Sequence, residues 1–342
     1  MPTRYDVVVI GAGIAGTAAA LAASRHARVC VYTRAPGATA LFSGAWRGPC
    51  PPELLTALQS VGYDLAPVEH PLPHPQGFLS TADYATSSHR AAQLSDNGVV
   101  CSISGFAGFN ARGLAMQWSA LSGFDLGAAS ITIPETPKTG WATASLAAHI
   151  ARNPDALRDA LARLRAARII LPAVLGKTKF NADFILGEAL GSAPSLPGWR
   201  LHNALERVLE NANVDIVRTG DRPEAGAYVL ASGKFLSGGI EADGSFREPV
   251  FDCPIWIEHL DAMFEEPDSL MLTDAVRTEE QPLMAAGVQT DDEHRPVNRV
   301  GDVVHQNVFV AGSIRAGWTS ATHGIGECAQ DGWNAGMRAI QK

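Results

Sequence analysis

Gly11, Gly13 and Gly16 stand at the spacing Gly-x-Gly-x-x-Gly. At that spacing the first glycine permits a tight turn and the second lets backbone approach a pyrophosphate. The third lets a helix pack closely on a strand. Ile14 and Ala15 open that helix, whose free N–H groups and positive dipole end suit phosphate oxygens. A dinucleotide is therefore expected on Gly11, Gly13, Ile14, Ala15 and Gly16. A second set lies near the other end of the chain. Asn307-Val-Phe-Val-Ala-Gly312-Ser313 is a strand that would deliver Gly312 and Ser313 beside a flavin's ribityl and pyrophosphate. Thr322-His323-Gly324-Ile325-Gly326 then turns into a helix whose N-terminus would stabilise negative charge on a reduced flavin ring. Between these sets, Leu230-Ala-Ser232-Gly233-Lys-Phe-Leu-Ser-Gly-Gly239 ends a strand in small residues, so the chain can pass close to a cofactor.

One expected group is missing. A carboxylate near the end of the second strand of a dinucleotide fold usually holds the adenosine ribose. No Asp or Glu occurs between Asp6 and Glu53, and Thr33 and Arg34 occupy the place. Thr33 can bond a ribose hydroxyl. Arg34 can stack on adenine, pair with a phosphate, or stand as an ordinary solvated charge. Arg34 also leaves NADP open, because an arginine here accepts a 2′-phosphate.

The elements that must position these residues follow from periodicity. Asp6–Ile10 is a continuous apolar run, as in a parallel strand buried on both faces. Ile14–Ser24 is Ala-rich and helical, and Arg28–Thr33 is the next strand, completing a β-α-β unit. Prolines and glycines then mark an irregular exit, and short helices around a Pro/His stretch run from Glu53 to about Leu94. A second α/β series follows: strand Val99–Ser104, helix Asn110–Leu121, strand Ala129–Pro134, a helical stretch Ala142–Ala167 broken at Pro154, and strand Arg168–Pro172. Trp199–Asn211 is an amphipathic helix, Val214–Val217, Ala227–Ala231 and Asn307–Ala311 are strands, and His323–Ile340 is the last helix.

Composition sets the outer limits. With 342 residues, 46% apolar and 18% charged, the chain fits two globular domains. A net charge of −8 argues against a nucleic-acid partner. Cys30, Cys50, Cys101, Cys253 and Cys328 are scattered, which argues against a disulfide framework, a zinc site or an iron–sulfur cluster within the chain and suits a reducing cytoplasm. The uncharged run Val7–Ser24 is interrupted by glycines and preceded by Asp6, so it reads as strand plus helix and not as a targeting or membrane segment. Membrane contact is expected to be peripheral only, through a partner.

Taken together, the segments resemble the B subunit of anaerobic glycerol-3-phosphate dehydrogenase, a flavoprotein family. The likeness rests on Gly11–Gly16, Tyr32-Thr-Arg34 with Phe42-Ser43-Gly44, Ile103-Ser-Gly105, Arg200–Leu205 and Leu230–Gly239. It continues through Arg247-Glu-Pro249, Gly287–Asp291 with Arg295-Pro296, and Asn307–Ser313. The chain departs from the family in being shorter between Gly48 and Val99, and its turn His323–Glu327 is less Gly-rich. The resemblance implies that Ser43 and Gly44 also touch the cofactor and that Thr-Arg at the second strand does not require NADP. It further implies a second flavoprotein subunit, a cluster-bearing membrane-associated subunit and a quinone as electron acceptor. The family flavin is FAD or FMN, and the Gly-x-Gly-x-x-Gly turn favours FAD.

The reaction expected is hydride removal from a small secondary alcohol such as glycerol 3-phosphate. A base titrating near neutrality favours histidine. His323 comes first, beside the flavin-facing turn, and His202 and His294 follow. An anionic substrate needs cations, and Arg295, Arg247, Arg200 and Lys234 lie beside the shared segments, with Lys177 and Lys179 in the inserted region. His323 and Arg295 are the catalytic candidates. The fold expected is α/β: a discontinuous Rossmann-type FAD-binding domain of the glutathione-reductase type (1–48, 197–240, 300–342) with an inserted α/β substrate domain (49–196, 241–299). The alternatives are a non-catalytic electron-transfer or scaffolding subunit and an NADP-binding reductase.

Overall fold

The computed structural model describes residues 5–135, 142–176, 183–193, 195–242, 246–257, 282–320 and 322–341. The chain begins with strand β1 (Tyr5–Ile10), helix α1 (Ile14–Ala23), strand β2 (Val29–Tyr32) and helix α2 (Pro52–Ser60). Next come strand β3 (Val99–Ile103), helix α3 (Ala111–Ser122), strand β4 (Gly127–Ile131), and helices α4 (Thr143–Arg152) and α5 (Pro154–Ala162). Strands β5 (Arg168–Leu171) and β6 (Ile185–Glu188) lead to helix α6 (Leu196–Asn211). Strands β7 (Asp215–Val217), β8 (Ala225–Leu230) and β9 (Val308–Val310) precede the last helix, α7 (Ile325–Ala339).

The chain divides into two compact units, one of residues 1–39, 47–62 and 202–342, the other of 40–46 and 63–201. The first unit is built on a five-stranded sheet in the order β7-β2-β1-β8-β9, parallel throughout. Its register sets the site. Ile10 pairs with both Tyr32 and Leu230, Tyr32 with Val217, and Leu230 with Val310. The carboxyl ends of all five strands are therefore level, and the residues that follow them emerge along one edge. The direction of connection reverses at β1, which is where α/β sheets hold ligands.

Both faces of this sheet are covered, as the unbroken apolar runs require. Val7 and Val9 join a core with Ala19, Ala23, Leu209 and Ala335. Val8 and Ile10 face a separate core made with Ile240, Cys253, Ile255, Ile257 and Val288. Helices α1 and α7 touch through small residues. A Cβ on Gly332 would overlap the Ala15 carbonyl oxygen, and one on Gly336 that of Ala19.

The second unit carries a four-stranded parallel sheet in the order β6-β5-β3-β4. Ile103, Ile131, Leu146, Ile150, Leu157, Leu161 and Leu171 form its main core. Strand β6 had no counterpart in the sequence reading. It is four residues long and contains Gly187, whose missing side chain makes room for the Ala92 backbone. In the region read as short helices around a Pro/His stretch, helices Pro52–Ser60 and Ser87–Arg90 flank two two-residue ladders, 66–67 with 84–85 and 72–73 with 79–80.

The division of the chain differs from the expected one at four places, two of them being residues 40–46 and 197–201, which were expected with the first domain and belong to the second unit. Residues 241–299 were expected with the inserted domain, yet Ile255, Ile257 and Val288 are buried under the first sheet. Residues 49–62 also belong to the first unit, where Leu54 and Leu58 of α2 are fully buried and Glu53 pairs with Arg25 at 3.3 Å. Among the described residues no helix is long and apolar enough to cross a membrane.

Candidate functional site

The turn after β1 is held from both sides. Gly11 has φ +107°, a conformation side chains strongly disfavour, and its N–H donates to the Tyr32 carbonyl at 2.9 Å. A Cβ on Gly11 would overlap the Ala231 carbonyl oxygen, and one on Gly16 the Gly11 carbonyl oxygen. Gly13 differs: an added Cβ would meet only the Thr39 hydroxyl, at 3.2 Å. The backbone there is open rather than packed. Thr39 also accepts the Ile14 N–H at 3.1 Å, so a hydroxyl from a distant loop sits at the N-terminus of α1.

The small-residue segments gather around this turn. The Ser232 backbone lies against Gly11, where an added Cβ would be 3.3 Å from the Ser232 Cα. Its hydroxyl is buried without a hydrogen-bond partner among the described residues. Gly233 lies against Ser237, and a Cβ on it would be 3.8 Å from the Ser313 hydroxyl. Gly312 meets Ala15, which an added Cβ would approach to 2.7 Å. Its N–H donates to Asp331 of α7 at 2.6 Å, and Asp331 also pairs with Arg315. Asp331 thus fixes the Gly312–Ser313 turn from behind. An orphaned buried hydroxyl beside an open glycine turn at a helix N-terminus fits the oxygen-rich middle of a dinucleotide.

At the end of β2, the Thr33 hydroxyl donates to the Ala35 carbonyl at 3.3 Å. Arg34 donates to the Tyr32 phenol oxygen at 3.3 Å and lies over the Tyr32 ring, 5.9 Å from its centroid. No carboxylate competes with a phosphate for Arg34 among the described residues.

His323 is held in a defined orientation. Its Nδ1 lies 2.8 Å from the Thr322 hydroxyl, which is 2.7 Å from that of Thr319. Its ring stacks on Trp318 with centroids 4.3 Å apart and planes at 25°. The Trp318 carbonyl in turn accepts from Lys234 at 2.6 Å, tying the His323 loop to the Ser232–Gly239 segment. Helix α7 begins just beyond. The Gly324 N–H donates to the Glu327 carboxylate at 2.8 Å, and the Gly326 N–H to the Arg47 carbonyl at 2.8 Å. Two of the amides expected to face a flavin are therefore engaged within the protein, and the Ile325 side chain is half-buried between them.

The other candidates have different surroundings. Arg295 pairs with Asp291 at 2.7 Å and donates to Gln306 at 3.1 Å, stapling a turn. Arg247 pairs with Glu241 at 2.8 Å on the surface. Arg200 makes two bonds to the fully buried Glu188, at 2.6 and 2.9 Å. Lys234 donates to the Met284 and Trp318 carbonyls, and burial pushes its amine down to about 8. His202 lies 3.6 Å from Glu206 on α6, and His294 lies 3.1 Å from the Val310 carbonyl. Ser43 and Gly44 belong to the second unit. There the Ser43 carbonyl accepts from Gly191 at 2.7 Å, and Gly44, at φ +109°, lies on the buried His89 ring. Lys177 and Lys179 lie outside the described residues.

Thr39, Asp331 and Arg47 were not found from sequence. Thr39 follows the irregular Pro36-Gly37 stretch, and Asp331 is the buried carboxylate of an amphipathic helix, but their partners come from distant segments.

Residues 6–68 match the model of a family described as FAD binding domain. That match supports FAD as the cofactor, and the matched stretch contains Gly11–Gly16, Thr33 and Arg34. The B subunit of a probable anaerobic glycerol-3-phosphate dehydrogenase from Halobacterium salinarum is 31% identical over 221 residues, covering 54% of this chain and 50% of the relative. Its counterpart in the anaerobic glycerol-3-phosphate dehydrogenase of Yersinia pestis is 30% identical over 208 residues, covering 51% and 46%. The resemblance read from the motifs is thus borne out at about this identity, and the chain spans about half the length of the curated relatives it matches. Among solved structures, the 3-ketosteroid delta1-dehydrogenase of Sterolibacterium denitrificans aligns over 99% of both chains at 11% identity, with a TM-score of 0.40.

Proposed function

We propose that this chain is an FAD-dependent dehydrogenase subunit that oxidises a small secondary alcohol of the glycerol 3-phosphate kind. It passes the electrons to partner subunits and a quinone, docking at the membrane only through those partners. The observation that carries the reading is the gathering of Gly11–Gly16, Ser232–Gly233 and Gly312–Ser313 along one sheet edge, with the His323 loop fastened to it by Lys234.

When bound, FAD supplies a two-electron acceptor for the hydride of the alcohol carbon. The protein's own part is binding, orientation and proton transfer. The Thr39 hydroxyl, which accepts the Ile14 N–H and keeps its own O–H to donate, and the unpartnered Ser232 hydroxyl are the groups available to pyrophosphate and ribityl oxygens. Asp331 keeps Gly312 in place for the same ligand. His323 accepts the hydroxyl proton at Nε2. In the tautomer whose Nδ1–H donates to Thr322, Nε2 carries the free lone pair, and Trp318 holds the ring plane.

The test is an absorption spectrum of the purified chain, followed by anaerobic addition of glycerol 3-phosphate. Flavin bands that bleach support the reading. His323→Ala should slow that bleaching about tenfold or more with flavin retained, and an unchanged rate removes His323 from the role of base. One observation favours a second reading, a flavin-bearing electron-transfer subunit without its own substrate site: Arg295, Arg247, Arg200 and Lys234 all have partners within the protein. Flavin bands that persist on addition of substrate would establish that alternative.

A further inference from the structure

Two cations converge on the loop that carries His323. Lys234 donates to the Trp318 carbonyl at 2.6 Å, and the Arg47 guanidinium donates to the Ser320 carbonyl at 2.6 Å. They come from separate segments and hold carbonyls two residues apart on one short loop. Among the described residues neither forms an ion pair with a carboxylate. The acidic groups around them are engaged: Glu327 lies against Gly48 and accepts the Gly324 N–H, and Asp331 pairs with Arg315. Burial without a counter-ion is what pushes the Lys234 amine down to about 8. Arg47 is exposed, and its backbone is packed on the loop as well, since its carbonyl accepts the Gly326 N–H and its Cβ lies against Gly324, the neighbour of His323.

We propose that Arg47 and Lys234 make the His323 loop an anion receptor, so that the alcohol delivered to His323 carries a phosphate or carboxylate gripped by Arg47. A neutral carbonyl is a weak partner for a guanidinium. An oxyanion offers two parallel charge-assisted bonds in its place. Lys234 acts as a point charge that holds the loop and adds to the field, its two carbonyl bonds leaving one N–H in hand. The assignment of His323 as the loop's reactive group rests on the proposed dehydrogenase reading, whereas anion binding is measurable without turnover.

The experiment uses the full chain loaded with FAD, titrated calorimetrically with inorganic phosphate, with glycerol and with glycerol 3-phosphate. Phosphate should bind and compete with glycerol 3-phosphate, and glycerol should bind far more weakly than its phosphate ester. Arg47→Gln should weaken phosphate binding about tenfold or more, the loss of a charge-assisted bond, with FAD content and thermal midpoint unchanged. Arg47→Lys should recover part of the loss, because it restores the charge without the fork. An Arg47→Gln affinity equal to wild type, no phosphate binding to wild type, or glycerol binding as tightly as its ester would overturn the receptor. If phosphate binding depends on Arg47 but glycerol 3-phosphate leaves the flavin oxidised, the receptor stands and the dehydrogenase reading falls. Bleaching with an unchanged Arg47→Gln affinity means the converse.

Discussion

The turns after β1 and after β3 answer the same topological need in different ways. Each follows an interior parallel strand ending in isoleucine and leads into a helix. After β1 only Gly11, Ala12 and Gly13 intervene, and the first helical N–H meets a hydroxyl from Thr39. After β3 the connection runs from Ser104 to Asn110. Asn110 caps its own helix by accepting the Gly113 N–H at 3.2 Å, and Phe109 packs edge-on against Trp118 with centroids 6.1 Å apart. The β3 turn borders a cleft of about 610 Å³, yet it satisfies itself from within. The β1 turn is stripped of side chains and finished by distant residues. Parallel-sheet topology therefore does not make the site; the loop chemistry does.

That contrast can be broken most directly by adding methyl groups. Gly11→Ala places a Cβ on the Ala231 carbonyl oxygen at a φ of +107°, and should lower the denaturant stability of the first unit by about 4 kcal/mol or prevent folding. Gly108→Ala in the β3 turn meets the Phe106 ring at 3.1 Å and should cost no more than about 1 kcal/mol. Equal losses at the two turns would end the distinction.

The polar groups at the strand ends sharpen it. In the first unit the Ser232 hydroxyl is left unpartnered, whereas in the second Glu188 at the end of β6 receives both Arg200 bonds and the Leu175 N–H at 2.6 Å. Glu188→Gln should therefore cost about 3 kcal/mol while leaving the FAD content of the folded protein intact. Burial alone would raise the Glu188 carboxyl, but the Arg200 charge and hydrogen bonds, with His89 and the Leu175 N–H, hold it below the usual 4.5. A depressed folded value means the stabilisation is complete above about pH 4.5 and is lost as the pH falls through the folded value. The difference in unfolding free energy between wild type and Glu188→Gln should shrink over that acid range. A difference that is constant with pH would show that the pair is not what the substitution removes.

The finest test is Gly13→Ala, since its Cβ meets only Thr39 at 3.2 Å. Folding stability should change by no more than about 1 kcal/mol, while the Kd for FAD, read by fluorescence titration, rises about tenfold or more. Unaltered affinity would mean that the open backbone at Gly13 does not face the cofactor.

Much of the first sheet was legible in the sequence, because strands buried on both faces read as unbroken apolar runs and Gly11–Gly16 has a spacing few other needs explain. Strand β6 was not, being too short for periodicity and carrying Gly187. The cations were the hardest to read. Arg295 and Arg247 look alike in sequence to Arg47, and only the fold shows that Asp291 and Glu241 stand opposite the first two. Nothing local marks 253–257 as cover for the first sheet either, since an apolar pair such as Ile255 and Ile257 fits any core.

The close seating of Gly332 and Gly336 on Ala15 and Ala19 has a consequence for biosynthesis. The β1 turn receives its packing partner only after more than 300 further residues have been made. The second unit draws on an almost continuous stretch, 63–201, and has all its strands in hand long before that. Contacts so distant in sequence form late and slowly. The second sheet can therefore form first, and competence to take up FAD waits until α7 closes against α1.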